Sequence, residues 1–283
     1  MKKTLLLLTA LACTTAHSAE RIVSAAGYAS EIVALLGKGE QLAGVDTTSL
    51  LPADLMETKP KIGYRRQLSG EGILSLNPDL ILLPPDAAPE NAVRQIEGSG
   101  ITILRLQDPQ TLEGIREEIA AIGRAIAAEN AAQALIARLE ADEAALQQLK
   151  SQSGTASALV LLNSGNRGVF ALGQNSAGAH LLSILGLENA VDFDGNKPLS
   201  LEAFAASPAD LILLAARDDA SSAPVIARID DKHPQHESIA HTRAGQNGCA
   251  FAVNIVAALG FGANTARDAT EILRALEPCL QKP

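Results

Sequence analysis

The chain has no tryptophan, two tyrosines and five phenylalanines in 283 residues. A pocket that grips its ligand by broad aromatic stacking has few side chains to draw on. Positive charge is also short: 23 Lys and Arg stand against 32 Asp and Glu, a formal net charge of −9. That balance argues against nucleic acid, whose recognition needs a basic face, and leaves small ligands open. Enzyme signatures are missing too. No Gly-x-Gly-x-x-Gly follows a first strand, and no Walker lysine loop, Gly-x-Ser-x-Gly elbow or Cys–His pair is visible. An exported enzyme is therefore the weaker rival to a binding protein. After residue 19 no apolar run approaches the ~20 residues of a membrane span.

The first 19 residues read as a secretory signal. Lys2 and Lys3 precede an apolar run at 5–12, and a small polar stretch from Thr14 to Ala19 follows. These are the charged, apolar and small-residue zones of an exported chain, too short to cross a bilayer. Ala16, Ser18 and Ala19 are the candidate cleavage positions. Ala10-Leu11-Ala12-Cys13 resembles a lipoprotein box that lacks its usual leucine, so a freely soluble periplasmic protein is expected, with anchoring at Cys13 the alternative. Cleavage removes Lys2 and Lys3 and moves the formal charge from −9 to −11.

The remainder alternates short apolar runs with helical patterns. Runs at 22–25, 42–45, 80–83 and 102–106 lie in the first half; 158–162, 169–172, 211–214 and 250–253 lie in the second. Residues 30–36 and 177–185 have helical character. This is the pattern of α/β layers around parallel sheets. Residues 111–150 differ, being rich in Ala, Glu, Leu and Gln, without proline and with only Gly114 and Gly123. At 1.5 Å per residue they would reach about 60 Å if unbroken, which predicts one or two helices spanning from lobe to lobe. The expected organisation is a signal peptide (1–19), an N-terminal lobe (20–109), an interlobe helix (110–151) and a C-terminal lobe (152–283). A cleft between two such lobes, near the carboxyl ends of the strands, is the default ligand site.

An internal echo supports the two lobes. Leu-Ser-x-Glu, an aspartate eight residues on, then Leu-Ile-Leu-Leu, occurs at Glu71/Asp79 and again at Glu202/Asp210. Only the first copy carries Gly63-Tyr64-Arg65-Arg66. Tyr64 lies on a loop between a strand and the helix start at Ser69, where binding residues concentrate. A phenol ionises near pH ~10, and adjacent cations favour the phenolate, a hard oxygen donor for ferric iron. Arg65 and Arg66 are the adjacent cations, and either suits a propionate carboxylate; an ordinary loop tyrosine beside solvated arginines is the bland reading. Cys249 and Cys279 are either a disulfide across a strand and its returning helix or two packed thiols. His233, His236 and His241 form a weak metal-like pattern in a polar stretch, which keeps a free metal ion among the rival ligands.

The segment KIGYRRQLSGEGILSLNPDLILL resembles the HmuT-like haemin-binding proteins, class III substrate-binding proteins that feed ABC importers. Similarity continues through SAAGYASEIVALLG, LGLENAV, KPLSLEAF, IAHTRAGQNG and ALGFGANTA. The resemblance implies two Rossmann-like lobes joined by a long helix, with haem as transported ligand. It implies Tyr64 as axial iron ligand with Arg66, and Arg65 beside it, at the haem. Glu71 and Glu202 become docking acids for a permease dimer in the inner membrane; the local alternative is a favourable acid in a capped first helical turn. A monomer is expected. Tyr28 and His180 are further cleft candidates, each with a packing alternative, and Arg217 or Arg228 is the candidate second-lobe arginine. The family often has arginine where this chain has Asn264. A siderophore or cobalamin carrier is the rival within the same fold.

Overall fold

Each of the apolar runs becomes a strand in the computed structural model, which describes residues 19–165, 168–200, 204, 206–216 and 224–280. The signal-like segment with Cys13, Glu202 and Arg217 lie outside the described residues. In the first lobe the strands are β1 (Ile22–Ser24), β2 (Leu42–Val45), β3 (Leu80–Leu83) and β4 (Thr102–Arg105). They form one parallel sheet in the order β2-β1-β3-β4. Helices α1 (Gly27–Val33), α2 (Ala53–Thr58), α3 (Gly70–Ser75) and α4 (Glu90–Glu97) connect them. All four residues of β3 are buried, as expected of a central parallel strand covered on both faces.

Residues 111–150 form two helices, α5 (Leu112–Ala125) and α6 (Glu129–Lys150). The break falls where Ala127 adopts a left-handed φ of 52° and the Ala128 N–H reaches back to the Gly123 carbonyl at 2.8 Å. Such a closure satisfies the last carbonyls of a helix and is normally marked by glycine. α5 packs on α1, whereas α6 packs on α5 and on the C-terminal helix Thr265–Leu280. At 1.5 Å per residue, 22 residues give α6 a length of about 33 Å. Ile115, Ile119 and Ile122 of α5 and Leu139 and Leu146 of α6 are fully buried in a core that reaches both lobes. Burial of each such side chain contributes roughly 1.5–3 kcal/mol.

Among the described residues, the second lobe is built on a seven-stranded sheet. Its strands are β5 (Ser157–Asn163), β6 (Val169–Leu172), β7 (Glu188–Asn189), β8 (Asn196–Pro198), β9 (Leu211–Ala216), β10 (Ile226–Arg228) and β11 (Ala250–Asn254). The centre, β11-β9-β5, is parallel. The flanks β6, β8 and β10 pair antiparallel, so this sheet is mixed where an all-parallel one was expected. β7, β8 and β10 are only two or three residues long and largely exposed, too short and polar to read as apolar runs. Helix α7 (Ala177–Leu185) follows β6. Cys249, just before β11, is joined to Cys279 of the C-terminal helix, with Cα atoms 5.8 Å apart. No helix among the described residues is long and apolar enough to cross a membrane.

The echoed aspartates have the same job in both lobes. Asp79, just before β3, accepts hydrogen bonds from the backbone N–H groups of Glu20 and Arg21 at the entry of the neighbouring β1. Asp210, just before β9, accepts from the N–H and hydroxyl of Ser157, the first residue of the neighbouring β5. Each aspartate thus fixes the register of the central strand pair in its sheet.

Candidate functional site

The loops at the carboxyl ends of the strands enclose a cleft with a cavity volume of about 300 Å³. The first lobe contributes Gly27, Tyr28 and Glu31 after β1, Thr48, Leu50 and Leu51 after β2, Tyr64 and Arg65, and Asp108, Pro109 and Gln110 after β4. The second contributes Leu162, Ala177, Ile255, Val256, Leu259, Gly260 and Phe261. The walls therefore differ in chemistry. The first carries phenols, carboxylates and a guanidinium, whereas the described residues of the second are apolar side chains and one glycine. Both tyrosines of the chain face this one cavity.

Tyr64 is held on a short, firmly anchored loop. The segment before it pairs along β2: Val45 N–H to Pro60 O, Ile62 N–H to Val45 O and Thr47 N–H to Gly63 O, all 2.9–3.0 Å. Gly63 has φ of +96°, and a Cβ there would sit 3.0 Å from the Gln67 carbonyl, so the turn that presents Tyr64 needs glycine. Gln67 N–H closes the turn onto Tyr64 O at 2.6 Å. Tyr64 is 37% exposed as a residue and lines the cleft.

The arginines after Tyr64 take different places. Arg65 lines the cleft, its side chain 16% exposed. Its guanidinium grips Asp108 with two bonds of 2.9 Å and reaches Asp86 at 2.9 Å. Arg66 is exposed outside the cavity wall and bonds Asp86 at 2.7 Å. Two arginines thus face two aspartates, so the cluster carries no net positive charge into the cleft. The resemblance implied Arg66, with Arg65 beside it, at the ligand; of the two, Arg65 is the one that lines the cavity.

Tyr28 is 6% exposed, and its hydroxyl is buried without a hydrogen-bond partner among the described residues. Desolvation, with the nearby Glu118 and Asp108 carboxylates, pushes its ionisation well above the ordinary phenol value, so it stays a neutral donor. Glu31, one helical turn further along α1, is buried as well, and desolvation raises its carboxyl to about 7. Asp46, beneath Thr48, accepts from the Thr48 and Ser49 hydroxyls; burial raises it above the usual carboxylate range.

The remaining candidates fall elsewhere. His180 is half-buried on α7 behind the apolar wall, its ring edge-on to Phe261 with centroids 6.3 Å apart. Arg228 lies on β10 with its guanidinium over the Phe251 ring at 5.0 Å. His233 Nδ1 accepts from the Gln235 N–H at 3.1 Å. Among the described residues, no three His, Cys, Asp or Glu side chains converge as a metal site. Glu71 is exposed in the first turn of α3, whose start is capped by the Ser69 hydroxyl on the Gly72 N–H at 3.1 Å. Sequence reasoning did not single out Glu31 or Asp108. The i, i+3 spacing of Tyr28 and Glu31 was a usable sign that both share one helix face; nothing marked Asp108.

Solved structures share this architecture. The periplasmic haem-binding protein RhuT from Roseiflexus sp. RS-1, in apo form, superposes with a TM-score of 0.81 at 30% identity, covering 93% of this chain and 99% of that one. BhuT, in complex with two haems, gives 0.79 at 29% identity, covering 92% and 98%. By sequence, a vitamin B12-binding protein of Pectobacterium carotovorum subsp. carotovorum (strain PC1) is 26% identical over 180 residues, 63% of this chain. The chain spans less than two thirds of the length of the curated relatives it first matches, 41% and 64%. The model of the periplasmic binding protein family matches residues 22–253. Over most of its length, and in the class III arrangement of its two sheets, the chain belongs to the periplasmic binding protein family.

Proposed function

We propose that this protein is a carrier, not a catalyst, that captures ferric haem in the interlobe cleft and delivers it to an ABC importer of the inner membrane. The observation that carries this reading is Tyr64, an exposed phenol on a rigid loop, set in a cleft whose opposite wall is formed by Leu162, Ile255, Leu259 and Phe261. A flat, largely apolar macrocycle with a hard metal at its centre matches both features. The iron takes the phenolate oxygen, and the macrocycle buries its apolar surface on the aliphatic wall. The names of the solved relatives RhuT and BhuT point the same way.

In this reading Tyr64 ligates iron. Arg65, already committed to Asp86 and Asp108, positions the Tyr64 loop. Arg66, with a side chain 58% exposed, would exchange its pair with Asp86 for a propionate at the cleft mouth. The Tyr28 hydroxyl is a buried donor beside the site. Glu71, and Glu202, its counterpart in the sequence echo, supply acidic docking points for a two-subunit permease.

A corrinoid is the second reading, favoured by the vitamin B12-binding relative. The lack of tryptophan and the phenol aimed at the cavity argue for haem. Parallel titrations with haemin and with cyanocobalamin separate the two. Saturable haemin binding with no cobalamin binding supports the proposal; the reverse replaces it.

A further inference from the structure

Glu31 sits where the cleft floor meets the seam between the lobes. It belongs to α1 of the first lobe, yet its carboxylate accepts a hydrogen bond from the side-chain amide of Asn264, immediately before the C-terminal helix of the second. The Asn264 Oδ1 in turn accepts from Arg138 Nη2 of α6 at 2.9 Å. One amide therefore links both lobes and the spanning helix. The fit is tight, since a Cβ on Gly262 would lie 2.1 Å from Glu31 Oε2. Asparagine brings no charge, so the nearest partner of this buried carboxylate is neutral and Arg138 acts through it. The charged groups facing Glu31 are Arg138 from α6 and Arg267 and Asp268 from the C-terminal helix. Asp268 faces Arg267, Glu271, Asp142 and Arg138.

We propose that Glu31 is a positioning residue that sets the spacing of the two cleft walls, with its protonated form tightening the seam and its ionised form loosening it. This rests on the cleft being the ligand site. Desolvation raises the Glu31 carboxyl to about 7 and the Asp268 carboxyl to about 6. At pH 6 Glu31 is mostly neutral and Asp268 about half so, and the amide bridge holds with little repulsion. Above neutrality two carboxylates face one another at a buried seam, against Arg138 and Arg267. A looser seam means a less preorganised cleft, hence weaker ligand binding.

The test is backbone hydrogen exchange of the ligand-free mature protein at pH 6 and pH 8, corrected for intrinsic exchange, with Glu31→Gln and Asp268→Asn beside the wild type. The wild type should lose roughly tenfold protection across Ile255–Leu259 and residues 260–265 at pH 8, the effect of about one pKa unit. Glu31→Gln should abolish that loss. Asp268→Asn should move its midpoint to lower pH, and it carries the test should Glu31→Gln fail to fold. Equal protection at both pH values in the wild type overturns the proposal, as does an unchanged loss in either variant. Haemin titrations at the same two pH values should show tighter binding at pH 6 in the wild type alone. Because the exchange experiment uses no ligand, its result stands even if haem proves not to be the ligand.

Discussion

The Arg65 guanidinium grips the Asp108 carboxylate through two parallel bonds of 2.9 Å each. Asp108 follows β4 and has a left-handed φ of 56°, so this pair ties the Tyr64 loop to the far edge of the first sheet. Removing one partner of a mostly buried ion pair leaves the other without compensation. Arg65→Ala should therefore lower unfolding stability by roughly 2–4 kcal/mol and weaken haemin binding at least several-fold. Urea denaturation and a titration read the two effects. Arg66→Ala, at an exposed pair, should cost at most about 1 kcal/mol.

The Cys249–Cys279 bridge spans 30 residues and closes the C-terminal helix onto the second sheet. A loop of that length stabilises by about 3.6 kcal/mol on the chain-entropy model. Neither cysteine lines the cleft. Cys249→Ser with Cys279→Ser should lower the melting temperature while leaving haemin stoichiometry unchanged. A lost binding site in a still-folded double variant would contradict this separation.

Stability should fall as pH rises from about 4.5 to about 7. Glu31 and Asp268 have folded-state values of about 7 and about 6, above their unfolded values. Their contribution is full below the unfolded values and is lost as pH passes the folded ones. Glu118 and Asp46 are shifted in the same direction by burial, while Asp210, hydrogen-bonded by Ser157, is shifted the other way. Urea midpoints at pH 5.5 and pH 8 check the sign: the higher one should be at pH 5.5, and Glu31→Gln should narrow the gap.

Glu71 stands clear of the cleft on the surface of α3. Glu71→Ala should leave haemin affinity within about twofold and lower transport in a reconstituted importer, because a rim charge acts on association with the partner. Equal transport by the variant would remove Glu71 from the docking surface.

Much of the fold was legible because buried parallel strands leave uninterrupted apolar runs such as Leu80–Leu83, and these need no partner to be recognised. The short flanking strands were not legible. Asn196–Pro198, for example, is polar and exposed, and only its pairing with β6 makes it a strand. The break between α5 and α6 was hidden because alanine, not glycine, takes the left-handed position at residue 127. Tyr64 stood out by its neighbours in the sequence, and it lines the cleft. Asp108 gave no such sign, and Asn264 stood out only as a departure from the family, since their contacts come from side chains 43 and 233 residues away, Arg65 and Glu31 respectively.

One phenol carries the proposed chemistry, so the most direct measurement is a haemin titration of the purified apo protein followed by visible absorption, beside Tyr64→Phe. The wild type should give a saturable high-spin ferric spectrum with a tyrosinate-to-iron charge-transfer band, and the variant should lose that band. An identical spectrum and affinity in Tyr64→Phe, or no saturable binding by the wild type, would contradict the assignment of Tyr64 as the iron ligand.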